Sequence, residues 1–264
     1  MNASRRLLIA AACFLVVSCA SPGSLPAADE RDALAPGGML RVGVYPGSPT
    51  SLVRDSATGA PKGITYDVGK ALAEHLGVQF ELVELRALPE VLAAVKAGTV
   101  DFTGTNATPA RAADMDFTPT VIDIELGFLV VPGSPVSSIA DANRPGMRIA
   151  VTRGSTSQTT LPRILPNATI VPAPTLKAAG EMLAAHSIDA YATNKVILYE
   201  LSTTVANSRV LDGQWGVEHW AFAVPKGREK GMAYLRRYLE QADRSGVIAR
   251  AVERSGLRGA VRPQ

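Results

Sequence analysis

The sequence predicts an α/β protein of two similarly built lobes, each a mixed sheet flanked by helices, with a two-stranded hinge between them. Three observations predict it. Strand-like and helix-like periods alternate from residue 40 to residue 103 in the order β-α-β-α-β, the pattern of a largely parallel sheet with helices on its faces. The pattern then returns: residues 147–151 echo 40–44, and residues 188–194 echo 100–106 at the same internal spacing. Finally, two apolar runs, 125–132 and 219–225, each end at a proline followed by a glycine-containing turn and read as strands that cross between the lobes.

Taken in order, the chain opens with Arg5 and Arg6, an apolar run over residues 7–17, and Ser18-Cys19-Ala20. That run is shorter than the roughly 20 residues a membrane-spanning helix needs, so it reads as a secretory signal over residues 1–18. Val16-Val17-Ser18-Cys19 looks like a lipobox, in which Cys19 is acylated and becomes the mature N-terminus; ordinary cleavage near Ala27-Ala28 is the competing reading. Residues 19–37, rich in Pro and Ala, are expected to form a flexible tether. Both cysteines, Cys13 and Cys19, precede the folded part, which removes disulfides, thiolate nucleophiles and cysteine-metal sites together.

In the first lobe, a strand over 40–44 runs into the turn-rich Tyr45-Pro46-Gly47. A helix capped by Asp67 carries Val68, Ala71, Leu72 and Leu76 on one face and stops at Gly77. Strand 78–85, helix 89–96 and strand 99–103 follow. Thr108 then reads as an N-cap with Pro109 as the first helical residue. Arg111, in that first turn, opposes the positive end of the helix dipole, an arrangement that makes electrostatic sense if an anion meets both. A solvated arginine, or one paired with Asp114 or Asp116, is the bland alternative.

The second lobe has strands at 147–151, 169–171 and 188–194 and a helix at 177–185 capped by Thr175. Helices over about 228–242 and 247–254 are expected to return to the first lobe, giving lobe boundaries of 38–123 plus 222–264 and 124–221. Ligands of open α/β sheets bind beyond the carboxyl ends of the strands, where Asn106, Arg111, Gly154 and Asn194 all fall on this reading.

Gly63-Ile64-Thr65-Tyr66-Asp67-Val68, Ala97-Gly98-Thr99-Val100-Asp101, Thr108-Pro109-Ala110-Arg111, Asp116-Phe117-Thr118 and Arg153-Gly154-Ser155-Thr156, in this order, resemble the family 3 bacterial extracellular solute-binding proteins, the receptors of polar amino acid ABC transporters. The resemblance runs from residue 38 to the C-terminal helices. It implies a type II periplasmic-binding-protein fold that closes on one small molecule, acts as a monomer at the cell envelope and serves a membrane permease. It further implies that Arg111 forks onto a ligand carboxylate, that Thr105 or Asn106 adds a polar group, and that Gly154, Ser155 and Thr156 offer backbone N–H groups at a helix start.

Departures from the family pattern are informative. The acid that usually holds a ligand ammonium is replaced by Thr193-Asn194, and an amide cannot neutralise an ammonium. Ser48 and Leu88 stand where aromatic rings are expected, leaving Tyr45 as a substitute, and Arg86 and Arg153 fall near the cleft. Within the expected class of amino acids, amino-acid-like compounds and organic acids, these departures point to a ligand richer in negative charge or one lacking a free ammonium.

Other chemistry finds little footing. His75, His186 and His219 lack metal-ligand spacing, and no nucleophile elbow, Walker loop or dinucleotide fingerprint is present, so no metal, cofactor or catalytic residue is expected. With 27 Lys+Arg against 24 Asp+Glu and no basic cluster, the charge pattern does not fit nucleic acid. Two further readings share the scaffold: a cyclohexadienyl dehydratase, disfavoured by Gln158 where that enzyme needs an acid, and a sensor for a membrane signalling partner.

Overall fold

The computed structural model describes residues 27–261, so the signal and Cys19 lie outside the described residues. In chain order the elements are α1 (Ala28–Leu34), β1 (Met39–Val44), β2 (Val53–Arg54), β3 (Pro61–Lys62), α2 (Ile64–Leu76), β4 (Gln79–Glu84), α3 (Leu88–Lys96), β5 (Thr103–Asn106), α4 (Pro109–Ala112), β6 (Met115–Phe117) and β7 (Ile122–Val130). There follow β8 (Arg148–Thr152), α5 (Thr156–Ile164), β9 (Thr169–Ala173), α6 (Leu176–Ala184), β10 (Ala190–Asn194), α7 (Lys195–Leu201), β11 (Arg209–Val210), β12 (Gly216–Pro225), α8 (Glu229–Arg244), α9 (Val247–Ser255) and β13 (Ala260–Val261).

The fold is the two-lobed α/β clamp anticipated above, with one difference in its sheets. Hydrogen bonding runs continuously through β5-β12-β7-β10-β8-β9, because β12 pairs with first-lobe β5 and with β7, and β7 pairs in turn with second-lobe β10. The expected boundaries at 123/124 and 221/222 therefore fall inside β7 and β12. Strands β1 and β4 form a parallel pair that joins this path only through a bridge between Val42 and Phe102.

Apolar burial explains the layers. Leu40, Val42, Val68, Leu72, Phe102, Phe222 and Leu235 form one core, which gathers β1, α2, β12 and α8. Phe128, Ile149, Val151, Leu161 and Ala192 form a second around β7, β8 and β10. A third cluster crosses the cleft, bringing Tyr45, Leu88 and Val91 against Leu129, Leu176, Tyr191 and Ile197. The lobes are thus packed against each other at one side of the cleft.

The sequence echo has a physical basis. The Arg41 backbone N–H and Nε donate to Asp101 Oδ2 at 3.0 and 2.7 Å, and the same two groups of Arg148 donate to Asp189 Oδ2 at 2.7 and 3.4 Å. Nη2 of each arginine reaches the carbonyl of a residue at positive φ that ends a helical segment, Gly98 in one lobe and His186 in the other. The Arg228 guanidinium adds a second cation on Asp101, tying the start of α8 to the first lobe.

Three local expectations need correction. The tether is not irregular throughout, since α1 folds and buries Leu34 completely against the first-lobe core, so the described end of this segment belongs to the domain. Helix α2 begins three residues before Asp67, with Gly63 as N-cap; Asp67 instead accepts the Gly63 N–H at 3.4 Å from within the first turn. Strand β5 begins at Thr103, because residues 98–102 are committed to the Arg41 contacts and the single bridge to β1.

Candidate functional site

Thr108 caps α4 as expected, its Oγ1 accepting the Arg111 N–H at 3.2 Å, and Pro109 is the first helical residue. The helix is only four residues long, so its dipole is small and the anion-binding capacity rests on the guanidinium itself. Asp114 and Asp116 are not its partners; they pair with Lys96 and Lys226. Arg111 instead turns into the cleft, where Nη1 donates to Thr105 Oγ1 at 2.8 Å and to the Asn106 carbonyl at 3.1 Å. Nη2 crosses to the other lobe and reaches the Gly154 carbonyl at 3.2 Å. Every one of these partners is neutral. Burial lowers the Arg111 pKa below its ordinary value, with the negative charge of Glu218 opposing.

The opposite wall is the turn from β8 into α5. Ser155 is the N-cap, its hydroxyl accepting the Gln158 N–H at 3.4 Å and donating to the Thr152 carbonyl at 2.7 Å. Two of the three backbone N–H groups assigned to a ligand are already engaged: that of Gly154 donates to Gln158 Oε1 at 2.7 Å and that of Ser155 to the Thr152 carbonyl at 3.1 Å. Gly154 sits at φ +73°, and a Cβ there would lie 2.8 Å from Pro89 Cγ, so glycine permits both the turn and the closure. Arg153 is exposed and lines, with Arg86, a separate recess whose residues come from both lobes; it does not line the cavity around Arg111.

Asn194 ends β10, and both ends of its amide are engaged. Its Oδ1 caps α7 by accepting the Ile197 N–H at 3.1 Å, while Nδ2 donates to Glu218 Oε2 at 2.9 Å. Thr156 Oγ1 donates to the other oxygen, Glu218 Oε1, at 2.8 Å and accepts from Asn106 Nδ2 at 3.3 Å. A polar chain thus runs from Asn106 in the first lobe through Thr156 to the hinge strand. Glu218 was not anticipated as a site residue. Its signal was the period of β12: Glu218, Trp220, Phe222 and Val224 share the buried face, and Glu218 is only 7% exposed. A carboxylate on the apolar face of a strand is the anomaly that marks it.

Tyr45, Thr105, Asn106, Arg111, Ser155, Asn194, Glu218 and Trp220 line one cavity of about 30 Å³. Burial pushes the Tyr45 phenol up to about 12. A space of that size holds little more than a water, so admission of anything larger requires the lobes to part. Asn106, Arg111 and Ser155 also line a wider recess of about 730 Å³, together with Thr156, Lys96, Arg163 and Trp215. Trp220 packs edge-on against Phe222, and Trp215 donates to the Gly127 carbonyl at 3.0 Å, so both tryptophans are anchored in the hinge region. Among the described residues no cluster of His, Cys, Asp and Glu could hold a metal, and no helix is long and apolar enough to cross a membrane. His75 packs against Tyr238, and His219 hydrogen-bonds Asp123 at 2.7 Å, both away from this cavity.

Two hinged α/β lobes closing on a cavity that holds one half-buried guanidinium define a clamp for a small solute. The chain belongs to the bacterial extracellular solute-binding proteins, family 3, which it matches over residues 40–256. It is 25% identical over 193 residues to the glutamine-binding protein of Geobacillus stearothermophilus, covering 72% of this chain and 73% of that one. Among solved structures it is similar to an ancestral amino acid-binding protein described as a precursor of cyclohexadienyl dehydratase, with 26% identity, a TM-score of 0.71, and coverage of 82% of this chain and 94% of the other. An amino acid ABC transporter substrate-binding protein of Streptococcus pneumoniae bound to L-arginine shares the fold at 20% identity, with a TM-score of 0.74 over 83% of this chain and 94% of that one.

Proposed function

We propose that this protein is the extracytoplasmic solute-binding component of an ABC transporter, capturing a small carboxylate-bearing ligand of the amino acid class and presenting the closed form to a permease. The observation that carries this is Arg111: its guanidinium is desolvated in the cleft, touches only neutral oxygens, and reaches groups of both lobes. An incoming carboxylate supplies the missing counter-charge, and contacts on both lobes make its binding favour the closed state. In this reading the protein acts as a monomer held at the envelope by a lipid on Cys19.

Binding without turnover fits the second wall. Gln158, in the position where the dehydratase reading needs an acid, has its side-chain oxygen fixed on the Gly154 N–H and offers no exchangeable proton for a leaving hydroxyl. The test is a thermal-shift screen of amino acids, their derivatives and organic acids, followed by calorimetry on the best ligand. A carboxylate-bearing compound should raise the melting temperature progressively with the logarithm of its concentration once that exceeds its Kd. A best ligand without any acidic group would overturn the assignment, and release of water from a cyclohexadienol acid would overturn the non-catalytic reading.

A further inference from the structure

We infer that Glu218, on hinge strand β12, is the residue that selects for a free ammonium on the ligand, so that the cleft takes a zwitterionic α-amino acid and not a simple organic acid. The inference rests on Arg111 receiving the carboxylate.

Its starting point is a buried carboxylate that makes no ion-pair contact among the described residues. Glu218 is buried, and its two hydrogen bonds come from a hydroxyl, Thr156, and an amide, Asn194, neither of which brings positive charge. Among the described residues no lysine, arginine or histidine forms an ion pair with it, and Arg111 likewise forms none with any carboxylate. Burying a carboxylate unpaired is expensive, and the two bonds occupy only about half of its acceptor sites. The same cavity therefore holds one underpaired cation and one underpaired anion, contributed by different elements. A molecule carrying a carboxylate and an ammonium on one carbon satisfies both; a molecule with the carboxylate alone leaves Glu218 as before.

Asn194 is then a positioning residue. Its oxygen is held by the cap of α7, which aims its side-chain N–H at Glu218. The acid missing after β10 is supplied from the hinge, two residues before Trp220. Because Thr156 joins Glu218 to Asn106 of the first lobe, an ammonium placed on Glu218 also reinforces the network that holds the cleft shut.

The experiment measures affinity of the intact mature protein for the proteinogenic L-amino acids and for the matching 2-hydroxy acids, in wild type, Glu218→Gln and Glu218→Asp. In wild type the best amino acid should bind and its hydroxy acid should bind on the order of 30-fold more weakly or worse. Glu218→Gln should lose amino acid affinity by a similar factor while its affinity for the hydroxy acid holds or rises, and Glu218→Asp should keep the preference for the amine. Equal wild-type affinity for both members of a pair overturns the role of Glu218 while leaving Arg111 as the carboxylate partner. Equal loss of both ligands in Glu218→Gln assigns Glu218 to the scaffold and likewise overturns it. Should Glu218→Gln not fold, the wild-type ratio and Glu218→Asp still decide. Binding of no carboxylate at all would remove the reading on which the inference stands.

Discussion

Arg111 and Glu218 line one cavity with opposite charges and form no ion pair with each other. Each is instead supported by neutral groups, which keeps both charges available to a third party. Replacing Arg111 with Ala should weaken the best carboxylate ligand by about 2 to 5 kcal/mol, the usual loss when one member of a desolvated charge pair is removed. Arg111→Lys should recover only part of this, since an ammonium cannot reproduce the planar fork that meets Thr105, Asn106 and Gly154 together. Isothermal calorimetry checks both; unchanged affinity in Arg111→Ala removes it from the site.

Gly104 allows the hinge tryptophan to lie against the sheet. A Cβ at this position would stand 2.1 Å from Trp220 Cζ2 and 2.6 Å from Thr65 Oγ1, while pairing with β12 holds the strand in place. Gly104→Ala should therefore destabilise the fold by about 1 to 3 kcal/mol or more and weaken ligand binding as well, because Trp220 also lines the cavity. Urea unfolding with and without ligand separates the two effects.

The paired arginine-aspartate contacts offer an internal comparison. Asp101 is fully buried and holds both Arg41 and Arg228, whereas Asp189 and its partner Arg148 are more exposed. Asp101→Asn should cost about 3 kcal/mol, in the range for a buried pair deprived of one charge. Asp189→Asn should cost about 1 kcal/mol or less. Equal losses in denaturant titrations would contradict this account of the echo.

Local rules in the sequence were sufficient for much of the fold. The caps Thr108 and Thr175, the stop at Gly77, and the recurrence of Arg41…Asp101 as Arg148…Asp189 are all short-range or repeated signals, and they located both lobes and Arg111. What escaped depended on side-chain bonds formed only after folding. Whether Asn194 faces a ligand or caps α7 is decided by where its oxygen points, and whether Gly154 has a free N–H is decided by Gln158 one turn later. Glu218 was legible in principle from the alternation along β12, but the run had been read from His219 onward for its apolar character, which placed the acid outside the window.

Cys19→Ser should release the protein from the membrane fraction to the soluble one if the lipid anchor is correct. Retention in the membrane by fractionation and immunoblot would require another tether.

The early helix α1 sets how far such an anchor could let the protein stray. Only eight positions separate Cys19 from Ala27, and the chain is docked on the first lobe from Ala28 onward. Fully extended, that segment reaches at most about 28 Å, roughly 3.5 Å for each residue. With a lipid on Cys19, the first lobe would therefore stay within roughly 28 Å of the bilayer surface, about one domain's width.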